Sequence, residues 1–329
     1  MLDKIDILSF NLEKLQNAFV TLGLKKYNAS QVYEWLHNKM EFDFDNFSNL
    51  SKENRETLKK RFYLPKLEYK EHQISVEDDT EKFLFELQDN RLIESVLIGH
   101  KNRYTLCVSS QIGCLLGCDF CATALMNYER NLEVSEILLQ YYYVEKYLRE
   151  KNETLSNVVF MGMGEPFLNY DNVIESINML NSKSGLNVSK RNFTISTSGI
   201  VPAIKKFTEE EHQINLAVSL HSVKDNVRSQ LMPINKKYPL TELKSALVNY
   251  QIKTKNRITF EYILIDELNC EKKDAFDLAA FLRSFSSLVN LIPYNPVGEK
   301  EYSAPSKKKK KEFYSILKER NINVTLRET

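Results

Sequence analysis

Three cysteines that could bind a metal lie close together in the stretch TLCVSSQIGCLLGCDFC, residues 105–121. Cys114, Cys118 and Cys121 form a C-x3-C-x2-C spacing, and the nearest histidine, His100, precedes the stretch. A tetrahedral zinc site requires four ligands, so this loop alone cannot complete one. An iron–sulfur cluster can be held by three thiolates, which leaves one iron open to a substrate. The spacing therefore favours a cluster with an open iron; a structural zinc site and unpaired core cysteines remain alternatives.

The five cysteines and the charge balance limit the class of protein. Four of the five lie between 107 and 121, and the fifth is Cys270. Clustered cysteines in a reducing compartment bind metal more often than they form disulfides. The N-terminal MLDKIDILSF carries charges where a secretory signal needs an apolar run, so we expect a cytoplasmic protein with no membrane contact. The net charge of +1 predicts that any RNA contact depends on local basic patches.

The elements that must position these cysteines alternate between strand and helix from residue 104 onward. Such repeats predict a parallel sheet with right-handed crossovers. Six units favour an α/β fold, a partial (β/α)6 barrel, over a full eight-fold barrel. The predicted strands are 104–109, 157–161, 193–197, 214–219, 258–265 and 288–292, and the predicted helices are 133–150, 170–182, 200–207, 239–252 and 271–284.

Polar or glycine residues follow most of the predicted strands. In parallel α/β sheets, the chemistry collects at the carboxyl ends of the strands. The cysteine stretch follows the first strand, and the second ends in Met-Gly-Met-Gly-Glu, in which Glu165 is an anion suited to an ammonium group. The other ends are Ser-Thr-Ser-Gly at 196–199, Ser-Leu-His at 219–221 and Pro-Tyr-Asn-Pro at 293–296. A serine at a strand end is often only a helix cap, but the convergence of five such ends predicts a ligand site.

Three regions are predicted along the chain. Residues 1–75 form an accessory helical domain, in which Asn28 to Ser30 cap the second helix and 51–63 present a basic face that could contact RNA. Residues 76–103 are a connector built on a β-hairpin, with strands 82–88 and 92–98 around an Asp-Asn turn. Residues 104–329 form the barrel. Lysines 307–311 are either a solvated helix face or a phosphate contact.

A set of motifs in fixed order resembles one family. These are CVSSQIGCLLGCDFCAT, RNLEVSEI, MGMGEP, STSG, LAVSLH, RSQLMPINKKYPL, RITFEYILI and NLIPYNP, together with LGLKKYNASQVYEWLH near the N-terminus and the hairpin segments KFLFEL and IESVLI. In that order they resemble the radical S-adenosylmethionine (radical-SAM) methyltransferases that modify carbon 2 of an adenosine in 23S rRNA and in tRNA. Relatives that methylate carbon 8 of the same adenosine share the scaffold.

The resemblance implies cofactors, partners and residue roles. The cofactors are a [4Fe-4S] cluster and SAM, and the partners are 23S rRNA, tRNA and an electron donor such as flavodoxin. Apart from the resemblance, a monomer is the default expectation. Glu94 matches a proton acceptor, and Cys107 matches a thiol that resolves an RNA–enzyme adduct. The cluster ligands are Cys114, Cys118 and Cys121, and the SAM contacts are Gly164, Glu165, Ser196, Ser219, Leu220, His221 and Asn295.

Two departures from the family pattern leave alternatives open. The family route uses a methyl-carrying cysteine near the C-terminus, whereas the sequence has no cysteine after Cys270, which we interpret as incidental, and the tail is predicted to be truncated. After the cluster motif, Ala124 and Asn127 stand where the family has glycines; a positive φ there would suit asparagine and strain alanine. The alternatives are a homologue that binds both cofactors without transferring methyl, a carbon-8 methyltransferase and a non-catalytic RNA-binding protein.

Overall fold

A computed structural model describes residues 4–101, 103–298 and 300–327 of the chain. Its contacts divide these residues into two compact units. The first unit comprises the described parts of Met1–Ser110, Asn131–Gly162 and Asn169–Phe193, and the second comprises those of Gln111–Arg130, Met163–Leu168 and Thr194–Thr329. The predicted boundaries at residues 75 and 103 stay predictions, and the end of the predicted tail, residues 328–329, lies outside the described residues.

The helices and strands are numbered in chain order. The helices are α1 Leu12–Thr21, α2 Lys26–His37, α3 Lys52–Arg61, α4 Val134–Glu150, α5 Tyr170–Leu180, α6 Val201–Glu209, α7 Asp225–Leu231, α8 Leu240–Thr254, α9 Lys272–Leu282 and α10 Lys307–Glu319. The strands are β1 Ile5–Asp6, β2 Phe62–Tyr63, β3 Leu67–Ile74, β4 Thr80–Leu87, β5 Leu92–His100, β6 Arg103–Cys107, β7 Gln111–Ile112, β8 Arg130–Asn131, β9 Leu155–Phe160, β10 Phe193–Thr197, β11 Asn215–Ser219, β12 Ile258–Leu264, β13 Ser287–Pro293 and β14 Val324–Leu326.

In the first unit, β3 to β6 pair with one another in antiparallel order, and β6 pairs with β9 in parallel. The predicted hairpin is confirmed as β4 and β5, and Asn90 in the turn has a left-handed φ of 63°. Asparagine tolerates this conformation because its short side chain can bond locally to the backbone. Along β5, the side chains of Ile93, Ser95 and Leu97 are buried, while those between them are partly exposed. This alternation gives the hairpin one core face and one open face.

Two local predictions for the first unit are wrong. The sequence pattern places residues 67–74 at the end of the helical region, yet they form β3 and pair with β4. Pairing with a neighbouring strand overrides the weak local preference of the charged segment LEYKEHQI. The predicted cap at Asn28 to Ser30 lies inside α2, which begins at Lys26 and has no side-chain cap.

The second unit is built on parallel strands. β10 to β14 pair in sequence order, each parallel to the next, and Ser196 lies opposite Ala217 in the register of β10 and β11. Their side chains are buried on both faces along much of β10 to β12, as expected when helices cover a parallel sheet.

All six predicted strands and the five helices predicted with them are present, in the two units together, within a few residues of their predicted bounds, so the predicted α/β class is confirmed. Parallel order places the carboxyl ends of β10 to β13 along one edge.

Candidate active site

The cysteine loop belongs to the second unit, and two contacts hold its two ends, near residues 112–113 and 127–129, together. Gly113 has a φ of 71°, and a Cβ atom there would lie 2.1 Å from the carbonyl oxygen of Asn127. The backbone N–H of Glu129 also donates to the carbonyl of Ile112 at 2.9 Å. Only glycine fits the first contact, because any side chain would overlap the backbone. The sequence between these contacts is thereby held as a loop that projects the three thiols.

The three cysteine thiols of the loop are free and partly exposed. Burial raises the pKa of Cys118 and of Cys114, and negative charge on the neighbouring thiols raises both pKa values further. These mutual effects show that the sulfur atoms share one environment. A bound cation would reverse the shift, because a metal ion favours the thiolate.

The spacing of the sulfur atoms bears on the group they can hold. Among the described residues, the set of three acidic, cysteine or histidine ligand atoms that lie within 4.8 Å of one another comes from Asp266, Cys270 and Glu271, not from the cysteine loop. At least two of the three loop thiols therefore lie more than 4.8 Å apart, farther than the roughly 3.8 Å between sulfurs that 2.3 Å zinc–sulfur bonds impose. Three spread thiols on one loop fit an iron–sulfur cluster better than a single zinc ion.

Residues between the cysteines anchor the loop within the second unit. Asp119 forms an ion pair with Lys300 and accepts a hydrogen bond from the hydroxyl of Tyr302 at 2.6 Å. These two partners hold the pKa of Asp119 below its usual value, so the anchor persists at neutral pH. Phe120 packs edge-on against His221, with ring centroids 4.6 Å apart. The cysteine loop is thus in direct contact with His221, a predicted SAM-binding residue.

Glu165 is a buried carboxylate whose negative charge is held by donors of the same unit. Its Oε2 accepts from the N–H and the hydroxyl of Ser198, and its Oε1 accepts from the N–H of Phe167 at 3.1 Å. Burial raises its pKa, and these donors act in the opposite direction. The side chain of Thr197 also hydrogen-bonds to this carboxylate, and an ammonium group would have to join these donors around it. Next to it, a Cβ at Gly164 would lie 2.5 Å from Cβ of Gln111, so glycine permits the close approach of the two segments.

His221 is buried, neutral and held in an unusual conformation. Its φ is 58°, and its Nδ1 accepts a hydrogen bond from the N–H of Ile263 at 3.1 Å. Burial lowers its pKa to about 3. Because Nδ1 is an acceptor, the ring proton resides on Nε2, which can donate. The amide of Asn269 fixes the carbonyl of His221 at 2.8 Å, so this backbone conformation is supported by the fold.

Arg228 on α7 is a buried cation that the sequence pattern does not single out. It occurs in the motif RSQLMPINKKYPL, but nothing in its residue type signals a role. Its guanidinium donates to the carbonyl oxygens of Ser198, Ser219 and Leu220. It therefore joins the ends of β10 and β11, where predicted SAM contacts lie.

The remaining predicted residues take different positions. Ser196 is buried in β10, whereas Asn295 is exposed two residues beyond β13. Glu94 and Cys107 belong to the first unit, on β5 and β6. Val96 pairs with Cys107, and Glu94 lies two residues from Val96, so Glu94 and Cys107 share the partly exposed face of the hairpin. Lys82 binds the Glu94 carboxylate at 3.1 Å.

Neither of the two positions where the family has glycine after the cluster motif requires a positive φ. Ala124 lies in a short 3-10 turn, residues 122–125, and Asn127 beyond that turn also has no positive φ. Alanine therefore replaces glycine there without backbone cost.

Two other features lie apart from the predicted residues. Lys309 of the five-lysine run pairs with Asp266 at 2.7 Å and with Glu271 at 2.9 Å, so this lysine fills the acidic group beside Cys270. In the first unit, a cavity of about 490 Å³ is lined by residues that include Phe42, Tyr143 and Lys146. No predicted site residue lines it.

In the part of the chain that the structure describes, no helix has the length and apolarity needed to cross a bilayer.

Comparison with known proteins identifies the family. Residues 5–64 match the ribosomal RNA large subunit methyltransferase N-terminal domain, and residues 108–279 match the radical SAM superfamily. A probable dual-specificity RNA methyltransferase RlmN from Fervidobacterium nodosum is 43% identical over 325 residues, which cover 98% of this chain and 92% of that protein. The Staphylococcus carnosus protein of the same name is 44% identical and covers 99% of this chain and 89% of its own length.

A solved structure supports the same assignment. The crystal structure of a radical SAM methyltransferase from Sphaerobacter thermophilus superposes with a TM-score of 0.94 at 38% identity, over 98% of this chain and 95% of that one. The fold predicted from the strand pattern and the resemblance stated from the motifs are both confirmed. Radical SAM proteins in general use SAM and a [4Fe-4S] cluster, and the three spread thiols fit that cluster. The chain belongs to the RlmN family of radical SAM methyltransferases.

Proposed function

We propose that the chain is an RNA methyltransferase that modifies carbon 2 of an adenosine in 23S rRNA and in tRNA, and that it works in the cytoplasm. The observation that carries the proposal is the gathering, in one compact unit, of three free thiols with the predicted SAM contacts. Phe120 of the cysteine loop packs on His221, and Arg228 ties Ser219 and Leu220 to the segment that holds Glu165. The curated relatives described above carry RNA methyltransferase names.

The roles follow from the chemistry of each side chain. Cys114, Cys118 and Cys121 would hold the cluster. Carbon 2 of adenine is electron-poor and cannot attack SAM directly, so the cluster when bound would supply the one-electron chemistry that this carbon requires. Glu165 would accept the ammonium group of SAM, which offsets the cost of burying its own charge.

The neutral ring of His221 would donate from Nε2 without adding charge to the pocket. Gly164 would let the backbone approach SAM, while Ser196, Ser219, Leu220 and Asn295 would complete the contacts. On the partly exposed face of β5 and β6, Glu94 would accept a proton. Cys107 would release the product by forming a disulfide with the methyl-carrying cysteine of the family route, a residue that this sequence does not contain. Their shared face supports a joint role.

The experiment is RNA mass spectrometry in cells that carry this chain as their only copy of the enzyme. We expect 2-methyladenosine in 23S rRNA and in tRNA, lost in Cys118→Ala. The appearance of 8-methyladenosine instead would overturn the position assigned to the methyl group. Absence of any methylated adenosine, in a protein that binds iron and SAM, would overturn the transfer activity and favour a homologue that binds both cofactors without transferring methyl.

A further inference from the structure

Arg228 presents a buried positive charge whose four hydrogen-bond acceptors are all uncharged. Its side chain is among the largest that are fully buried, with 1% of the residue exposed. Nη2 donates to the carbonyl of Ser198 at 2.6 Å and to that of Ser219 at 3.1 Å. Nε donates to the carbonyl of Leu220 at 3.1 Å, and Nη1 donates to Oδ1 of Asn235 at 2.8 Å. A buried arginine usually faces a carboxylate, because an unpaired buried charge is costly.

The three carbonyl acceptors lie at neighbouring strand ends. Ser198 follows β10 and donates two hydrogen bonds to the Glu165 carboxylate. Ser219 is the last residue of β11, and Leu220 follows it. The rigid, planar guanidinium of Arg228 therefore sets the distance between the ends of β10 and β11. Lysine could not do this, because its single ammonium group lacks the fork of donors. Gly199 leaves room for the guanidinium, since a Cβ there would lie 3.3 Å from Nη2.

Asn235 fixes the guanidinium from its other side. Its Nδ2 donates to Oδ1 of Asp225 and to the hydroxyl of Ser229, both at 2.8 Å, so its Oδ1 must face Arg228. The carboxylate of Asp225 thus reaches Arg228 only through the amide of Asn235. Their direct electrostatic attraction acts at longer range.

The cysteine loop would provide a further negative charge near Arg228 once a bound cluster holds its thiols as thiolates. Arg228 and Cys118 interact electrostatically, and the thiolate of Cys118 favours the charged form of the arginine. Cys118 also packs against the hydrophobic cluster that includes Leu231 and Met232, and the N–H of the next residue, Asp119, donates to the carbonyl of Leu231 at 2.9 Å, at the end of the helix that carries Arg228. A cluster bound through three thiolates carries net negative charge, which would balance the guanidinium.

We propose that Arg228 is a positioning residue that fixes the carboxyl ends of β10 and β11, where predicted SAM contacts lie. We propose that it also supplies the positive charge that raises the reduction potential of the cluster. The inference rests on the proposed cofactors and goes beyond the roles assigned to the family's binding residues. Nearby positive charge stabilises the more negative, reduced form of a cluster. The guanidinium of Arg228 would therefore affect both the position of the residues that contact SAM and the reduction of the cluster.

The test compares two substitutions of Arg228 in anaerobically reconstituted, full-length protein. Arg228→Lys keeps the charge and loses the fork, so we expect a midpoint potential near that of the unmodified protein and SAM affinity about tenfold weaker. Arg228→Met loses both, so SAM affinity falls similarly and the midpoint potential becomes more negative. The potential is measured by EPR-monitored redox titration and SAM affinity by equilibrium dialysis, with exposed Arg283→Met as the control.

A third variant keeps the test decisive if Arg228→Met fails to fold. Arg228→Gln removes the charge but keeps an amide donor for the strand-end carbonyls, so it should lower the potential with less loss of packing. An unchanged potential in Arg228→Gln and Arg228→Met would overturn the charge role. Unchanged SAM affinity in Arg228→Lys would overturn the positioning role. Neither measurement involves RNA, so failure here differs from failure to methylate RNA.

Discussion

Glu165 accepts two hydrogen bonds from Ser198, one from the backbone N–H at 2.8 Å and one from Oγ at 2.7 Å. Ser198 in turn offers its carbonyl oxygen to Arg228. A buried acid and a buried base are thereby connected through a single serine. The arrangement lets the fold keep both charges away from water without a direct ion pair between them.

Removal of the Ser198 hydroxyl should weaken this connection. In Ser198→Ala, the backbone donor remains but one charge-assisted bond is lost, so the pKa of Glu165 should rise further. We expect the free energy of unfolding at neutral pH to fall by about 1–2 kcal/mol, measured by chemical denaturation. Ser303→Ala, at an exposed serine of the same unit, is the control. Equal stability of the two variants would contradict the role given to the hydroxyl.

Loss of one cluster thiol should abolish iron binding. After anaerobic reconstitution, we expect about four irons per chain in the unmodified protein and a large loss in Cys118→Ala. Iron is measured chemically, and the visible absorption of the cluster gives a second readout. Cys270→Ala removes a thiol outside the loop and should retain the iron. Iron retained in Cys118→Ala would refute the ligand assignment, as would zinc held by four thiolates, without iron, in the unmodified protein.

Two glycines of the cysteine loop offer a matched pair of substitutions. In Gly113→Ala, the new Cβ meets backbone atoms of Asn127, so the loop must open and we expect cluster retention to fail. Gly117→Ala meets no atom within 4 Å, and its positive φ of 62° alone should cost about 1–2 kcal/mol. Iron content and the melting temperature distinguish the two. Similar losses in both variants would show that conformation, rather than packing, limits the loop.

Acid should destabilise the first unit through His37. Burial lowers the pKa of His37 to about 3, from 6.5 in the unfolded chain, so its contribution is complete above pH 6.5 and is lost as pH falls toward 3. At pH 5 the loss amounts to about 2 kcal/mol.

A comparison of melting temperatures at pH 7 and pH 5 tests the role of His37. The decrease should be smaller in His37→Gln than in the unmodified protein, whereas exposed His100→Gln should behave as the unmodified protein does. A pH dependence unaltered in His37→Gln would assign acid sensitivity to other groups.

The parts of the fold that can be predicted from the sequence are those with a local pattern. The six strands are apolar runs, and the cysteine spacing by itself indicates a metal-binding loop. Arg228 cannot be found in this way, because three of its four acceptors are main-chain carbonyls of residues eight to thirty positions away, and a carbonyl has no residue type. β3 escapes prediction for a related reason: its charged residues become a strand only when β4 supplies the partner.

The contact between Gly113 and the Asn127 carbonyl has a consequence for protein engineering. Because the two ends of the cysteine loop pack backbone to backbone, the ligands cannot be transplanted as three isolated cysteines. A graft onto another scaffold would have to carry residues 112–129 as one piece, with Gly113 intact and with a surface that replaces Lys300 and Tyr302 as partners of Asp119.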